Sequence, residues 1–154
     1  MDLLIELKNL IAKFQQSEID YALCDGLAMA IYARPRATLD IDVMIEEGSL
    51  LKANEALAEI GFSLSSAPMT FHGKKVKIKR LTKIDPNSEE HLSLDLLIVT
   101  PETFEAWDSR QTVEWEDGSL KVISPKGLIL LKSFRNSGQD QDDIDYLRSI
   151  IDED

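Results

Sequence analysis

Hydrophobic residues follow two different spacings along this chain. Near the N-terminus, Leu3, Leu7, Leu10 and Phe14 recur every three or four residues, which predicts an amphipathic helix. Around residues 38–46 aliphatic and polar residues alternate with a period of two, which predicts a strand. The same patterns predict strands at 21–24, 71–83 and 91–99, helices at 26–33, 50–60, 126–134 and 140–151, a hairpin around residues 117–118, and a loop at 65–70.

This order of elements predicts an α+β fold in a single domain that covers residues 1–154. The chain has 154 residues, of which 44% are apolar, and this is enough to form one hydrophobic core. The sequence contains no internal repeat, linker or low-complexity segment, so we expect no second domain.

Two carboxylates stand out in the strand at 38–46. Asp40 and Asp42 are two residues apart, so a strand places them on the same face, with their Cα atoms about 7 Å apart. Adjacent acids repel each other unless a cation or hydrogen-bond donors compensate. Mg²⁺ prefers carboxylate oxygens and keeps substrate phosphates as further ligands, so the pair is a candidate metal platform. A solvated sheet face is the alternative interpretation.

The residues before this pair predict a strand, a tight turn and a helix start. Residues 21–24 are apolar, Asp25 and Gly26 follow, and a helix-compatible run begins at Leu27. Glycine lets a backbone approach a phosphate, and the first N–H groups of a helix attract one. Further along, Asp95 lies in the middle of the apolar run 91–99, where a charge is costly without a partner.

This combination resembles the nucleotidyltransferase superfamily that includes the polymerase-beta palm. It resembles more closely the small bacterial nucleotidyltransferases of the abortive-infection toxin (AbiEii-like) type, which carry a Gly-Gly-x-Ala helix start and an Arg-x-Thr-x-Asp-Ile-Asp strand. The matching text here is 25–28 and 36–42, and the C-terminal resemblance is carried by Lys132, Arg135, Asp140 and Asp143. On the residues alone, Arg135 with Asp140 or Asp143 is also interpreted as a salt bridge between helices.

The resemblance implies a mixed-sheet nucleotidyltransferase fold with flanking helices and a C-terminal helical pair. It implies that Mg²⁺, or Mn²⁺, is bound by three carboxylates that also serve catalysis: Asp40, Asp42 and Asp95. It further implies a nucleotide-binding set: Gly26, Arg36, Thr38 and Lys132. In this set Lys132 would be the counter-charge to the triphosphate.

The activity implied by the resemblance is metal-dependent transfer of a nucleoside monophosphate from an NTP to a hydroxyl of a protein, an RNA or a small molecule. A toxin–antitoxin component with a cognate antitoxin is the expected biological setting. One departure favours an alternative, a catalytically inactive binding protein with this fold. Asp25 stands where the family has the first glycine of its pair, and its charge would oppose a triphosphate.

Charge and cysteine content bear on the expected partners and cellular compartment of the protein. A formal net charge of −11 does not favour general nucleic-acid binding. Cys24 is alone, and no apolar segment has the length of a membrane span, so we expect a cytoplasmic protein. Residues 71–83 form a basic tract, with lysines on one side of a predicted strand. Its alternatives are protection of an exposed sheet edge and contact with an anionic substrate.

Overall fold

The computed structural model describes residues 2–31, 40–116, 118–134 and 138–152. Its helices are α1 (Leu3–Gln16), α2 (Asp25–Ile31), α3 (Leu50–Ala58), α4 (Phe104–Asp108), α5 (Pro125–Ser133) and α6 (Gly138–Asp152). Its strands are β1 (Ala22–Cys24), β2 (Asp40–Ile45), β3 (Leu64–Ser65), β4 (Met69–Phe71), β5 (Val76–Ile84), β6 (His91–Ile98), β7 (Gln111–Trp115) and β8 (Gly118–Val122).

Within the described ranges the strands form one mixed sheet in the order β3-β5-β6-β2-β1-β8-β7, with β4 also paired to β5. The pairs β2–β6 and β1–β8 are parallel, and the other pairs are antiparallel. A mixed sheet with flanking helices and a C-terminal helical pair confirms the predicted fold class.

The two faces of the sheet have different environments. On one face α1 packs against the sheet, and the Nζ of Lys83 on β5 donates hydrogen bonds to both carboxylate oxygens of Glu6 at 2.9 and 3.0 Å. On this face the side chains of Leu23, Val43 and Leu96 are completely buried, as residues directly opposite one another on neighbouring strands. The other face carries the polar residues described below.

Local signals account for the starts of two helices. Asp2 caps α1 by accepting a hydrogen bond from the backbone N–H of Leu4 at 2.9 Å. Ser124 caps α5 by accepting one from the N–H of Gly127 at 3.0 Å, and Pro125 occupies the first position of that helix. Helix α5 therefore begins within one residue of the position that the sequence predicts.

In the middle of the chain one expectation is wrong, and one of two open alternatives is excluded. Residues 65–70 are not a plain loop, because β4 begins at Met69 and pairs with β5. Consequently β5 lies between other strands, and its lysines do not protect an exposed edge. On the face that α1 covers, Lys77 pairs with Glu47 at 3.0 Å, just as Lys83 pairs with Glu6. Among the described residues, no helix is both long and apolar enough to cross a membrane.

Candidate active site

The predicted carboxylates lie side by side on the open face of the sheet. Asp42 on β2 is directly opposite Asp95 on the parallel strand β6, and Asp40 is opposite Ser93. Because side chains alternate along a strand, all three carboxylates emerge on the same face. Asp40 and Asp42 are partly buried, whereas Asp95 is buried.

The row that contains Asp42 and Asp95 crosses four strands. Cys24 at the end of β1 is opposite Asp42, and Arg80 on β5 is opposite Asp95. Neighbouring strands lie about 4.8 Å apart, so each residue in this row is within side-chain reach of the next. The row therefore places a cation from β5 next to the carboxylates that the sequence singles out.

The carboxylates open onto a cavity of about 320 Å³, which is at the small end of the range for ligand pockets. Its charged wall is formed by Asp25, Asp40, Asp42, Asp95 and Lys132. Its apolar wall is formed by Phe71, Val76, Ile78, Leu97, Leu128 and Leu131. A ligand with a charged part and an apolar or aromatic part would match both walls.

Arg80 binds Asp95 through both carboxylate oxygens. Its Nε donates to Oδ1 at 2.8 Å and its Nη2 donates to Oδ2 at 3.0 Å, the two-pronged geometry in which a guanidinium binds most strongly. The hydrogen bond and charge of Asp95 raise the pKa of the Arg80 guanidinium, and the charges of Asp40 and Asp42 act in the same direction. Arg80 therefore stays cationic, and the negative charges of all three carboxylates stabilise its positive charge.

Lys132 connects three helices at the other side of the cavity. Its side chain lies on α5 and is only 1% exposed. Its Nζ is 3.2 Å from Oδ1 of Asp25, 3.0 Å from Oδ2 of Asp143 and 3.9 Å from Oδ1 of Asp140. The ammonium group that was predicted to contact a triphosphate is thus already bonded to carboxylates of α2 and α6, and its role in nucleotide binding stays a prediction.

The backbone at Asp25 explains why glycine suits this position. Asp25 has φ +58°, in the left-handed region that glycine enters without steric cost and that aspartate tolerates better than most residues. Gly26 is buried in the first turn of α2, and the cavity wall at this turn is formed by its neighbours Cys24 and Asp25. Arg36, Thr38 and Arg135 lie outside the described residues, so their predicted contacts are not described.

The donor chemistry of this face suits a hard divalent cation, because carboxylate oxygens are the ligands that Mg²⁺ and Mn²⁺ prefer. Across the described ranges, however, no group of three or more His, Cys, Asp or Glu side chains is arranged to hold a metal ion. Arg80 already occupies two of the roughly four lone-pair positions of the Asp95 carboxylate. Asp40 and Asp42 would hold such a cation, and Asp95 would add a ligand through its remaining lone pairs.

Arg80 is a site residue that the sequence did not single out from the basic tract. It belongs to the basic tract, but alternation along the strand places it on the same face as Val76 and Ile78. Lys77 and Lys79 lie on the opposite face. The alternation of side chains along a strand can be derived from the sequence, and it separates Arg80 from the face that carries the lysines. Its partner on β6 depends on the register of the β5–β6 hairpin, which the sequence pattern leaves open.

No protein-family model and no curated protein matches this sequence. Solved structures do match it. TM1012 from Thermotoga maritima, described as a candidate nucleotidyltransferase, aligns with a TM-score of 0.63 and 13% identity over 98% of this chain and 93% of its own. ANT(2″)-Ia, an aminoglycoside nucleotidyltransferase solved in complex with adenylyl-2″-tobramycin, aligns with a TM-score of 0.61 and 11% identity over 96% and 88%.

This chain has the nucleotidyltransferase fold. Both alignments cover nearly the whole chain, so the shared fold extends over the sheet and the C-terminal helices. Identities this low establish the nucleotidyltransferase fold alone. The AbiEii-like subtype therefore remains a prediction from the sequence.

Proposed function

We propose that this protein transfers a nucleoside monophosphate from an NTP to a hydroxyl acceptor with the help of a divalent metal, Mg²⁺ or Mn²⁺. The observation that carries the proposal is the alignment of Asp42 with Asp95 on adjacent parallel strands, with Asp40 on the same face, at the wall of a cavity. The nucleotidyltransferase fold supports it, since ANT(2″)-Ia with that fold holds an adenylylated compound.

In the proposed reaction the acceptor hydroxyl oxygen forms a bond to the α-phosphorus, the bond to the bridging oxygen breaks, and pyrophosphate leaves. Asp40 and Asp42 would hold the metal, which when bound neutralises charge on the phosphate oxygens. Asp95 adjoins Asp42 and would accept the hydroxyl proton or orient the hydroxyl for attack. The apolar wall would exclude water from this side of the cavity.

The finer parts of the proposal rest on the sequence. The resemblance supports an RNA or protein acceptor and a cognate antitoxin, and the cysteine content supports a cytoplasmic setting.

One observation favours the second candidate, a non-catalytic binding protein with the nucleotidyltransferase fold. Arg80 engages both oxygens of Asp95, which leaves the metal-binding set incomplete in this arrangement. Binding of an NTP that depends on Mg²⁺, followed by pyrophosphate release, separates the two candidates. Binding without any pyrophosphate release across a panel of acceptors would favour the binding protein.

Asp42→Asn tests the carboxylate cluster without knowledge of the acceptor. Neutralising Asp42 removes its repulsion with Asp40 and Asp95 but also its attraction to Arg80, so the free energy of unfolding in EDTA should rise by at most about 1 kcal/mol, the size of a charge-pair effect of one pKa unit. With excess Mg²⁺ or Mn²⁺ the wild type should gain more stability than the variant, because a metal that binds only the folded state stabilises it. Melting curves in both conditions measure the two effects.

Glu102→Gln is the matched control, since it removes one negative charge from an exposed side chain outside the cavity. It should leave the melting temperature nearly unchanged in EDTA and in metal. If Asp42→Asn behaves like this control in both conditions, Asp40 and Asp42 are ordinary surface acids. The proposed activity would then be wrong, while the fold would stand.

A further inference from the structure

The ion pair between Arg80 and Asp95 joins two groups of unequal mobility. The Arg80 side chain is 47% exposed, whereas that of Asp95 is 10% exposed. A long, half-exposed side chain can leave its partner and find water or another anion, but a buried carboxylate cannot follow it. Arg80 is therefore the exchangeable member of the pair.

The position of Arg80 opposes a metal ion at the same carboxylates. A divalent cation shared by Asp42 and Asp95 would lie next to the guanidinium, and like charges a few ångströms apart repel strongly. Arg80 and the metal also use lone pairs of the same carboxylate. Each cation should therefore weaken the binding of the other.

The same guanidinium has a second partner if a triphosphate enters. A guanidinium binds phosphate oxygens in the same forked geometry as a carboxylate. Arg80 is directly opposite Asp95 on β5, and Val76 and Ile78 of this strand line the cavity. A triphosphate bound beside Asp40 and Asp42 would thus come within reach of Arg80.

Building on the proposed function, we propose that Arg80 is an exchangeable cation of this site, which holds Asp95 while no metal is bound and transfers to the triphosphate when metal and nucleotide bind together. Free metal then binds weakly, because it must compete with Arg80. The metal–nucleotide complex binds tightly, because the nucleotide gives Arg80 a new anion. Metal and nucleotide therefore bind cooperatively, and the coupling is reciprocal.

A purely structural ion pair makes a different prediction. If Arg80 only joins β5 to β6, its removal lowers the stability of the fold. The affinities for free metal and for the metal–nucleotide complex then change in the same direction or do not change. An exchangeable cation requires shifts of opposite sign. The signs of the two affinity changes therefore decide between the alternatives.

The experiment compares Arg80→Gln, Arg80→Lys and the wild type in two calorimetric titrations. The first uses Mn²⁺ without nucleotide, and Arg80→Gln should bind it about tenfold more tightly, since a nearby like charge has been removed. The second uses saturating Mn²⁺ with an ATP analogue that carries a methylene bridge between its α- and β-phosphates. Arg80→Gln should bind this complex about tenfold more weakly, since a charged contact is lost.

Lys79→Gln is the matched control, because it removes the same charge from the adjacent residue on the opposite face of β5. Both of its affinities should stay within about twofold of the wild type, because its charge is screened from the cavity. If Lys79→Gln reproduces the changes of Arg80→Gln, the effect is general electrostatics and the proposal is wrong.

Arg80→Lys covers the case in which Arg80→Gln does not fold. A lysine keeps the charge but lacks the rigid planar fork with which Arg80 holds both oxygens of Asp95, so Mn²⁺ alone should bind more tightly than to the wild type. Unchanged affinities, or shifts of the same sign, overturn the role of Arg80 and leave the proposed function intact. A wild type that binds neither Mn²⁺ nor the Mn²⁺–nucleotide complex overturns the proposed function and the role of Arg80 with it.

Discussion

Replacing Lys132 by methionine tests how strongly the C-terminal helices depend on one buried cation. The Nζ of Lys132 contacts Asp25 of α2 and Asp143 of α6, and Asp140 is 3.9 Å away. Methionine has a similar length and keeps the aliphatic packing, so the substitution mainly removes the charge. The carboxylates of Asp140 and Asp143 are 7% and 1% exposed, and they cannot recover their hydration.

Removing one partner of a buried ion pair costs about 3–5 kcal/mol. We expect the lower end, about 3 kcal/mol, because the side chain of Asp25 is 27% exposed and can be hydrated. Asp140 and Asp143 also make other polar contacts, which soften the loss further. For a chain of this size each kcal/mol shifts the melting temperature by about 2–4 °C, so Lys132→Met should melt about 6–12 °C lower.

Urea unfolding followed by circular dichroism measures the loss, with a lower midpoint at an unchanged slope as the expected result. Lys126→Met is the matched control, because Lys126 lies on the same helix and is exposed. It should change the free energy of unfolding by less than about 0.5 kcal/mol. If Lys132→Met stays within about 1 kcal/mol of that control, the buried cluster does not hold the helices and the reasoning is refuted.

Two further predictions concern single aspartates. Asp25→Gly should raise the NTP affinity measured by calorimetry, because it removes a negative charge from the cavity and frees Lys132 from one partner. Glycine also suits the backbone angle φ of +58° at this position. An unchanged affinity would show that Lys132 already cancels the charge of Asp25. Asp85 accepts hydrogen bonds from the N–H groups of Asn87 and Ser88, which lower the pKa of its carboxyl. The stability that Asp85 adds is therefore present above the ordinary carboxyl pKa of about 4 and is lost as pH falls through the lowered pKa. Asp85→Ala should be less stable than the wild type at pH 7, and the difference should shrink in acid. A difference that persists at low pH would contradict this.

The part of the fold that the sequence predicts is the part that depends on short-range patterns. Alternation marks the strand that carries Asp40 and Asp42, an apolar run marks the strand that carries Asp95, and a proline after a serine marks the start of α5. The side-by-side placement of Asp42 and Asp95 needs a parallel register, which the resemblance to a known fold supplies and local pattern does not.

The short strand β4 shows where local pattern fails. Met69–Phe71 is exposed, and it lacks the buried, alternating face that identifies a strand. It is a strand because β5 offers it backbone partners. Edge protection, one of the two alternatives for the lysines of β5, failed for the same reason, since only the pairing shows that β5 is inside the sheet.

The cations of the site were hard to predict because charge balance belongs to pairs of residues from distant parts of the chain. Read alone, Asp25 is a departure that weakens triphosphate binding, but in the fold its carboxylate is bonded to Lys132 from α5. Read alone, Asp95 is a third metal ligand, but in the fold its carboxylate is bonded to Arg80 from β5. A sequence motif identifies the acidic residues, whereas the tertiary structure determines which cationic side chains contact them. Whether this site binds a metal and a nucleotide therefore depends on how readily Lys132 and Arg80 exchange their carboxylate partners for phosphate.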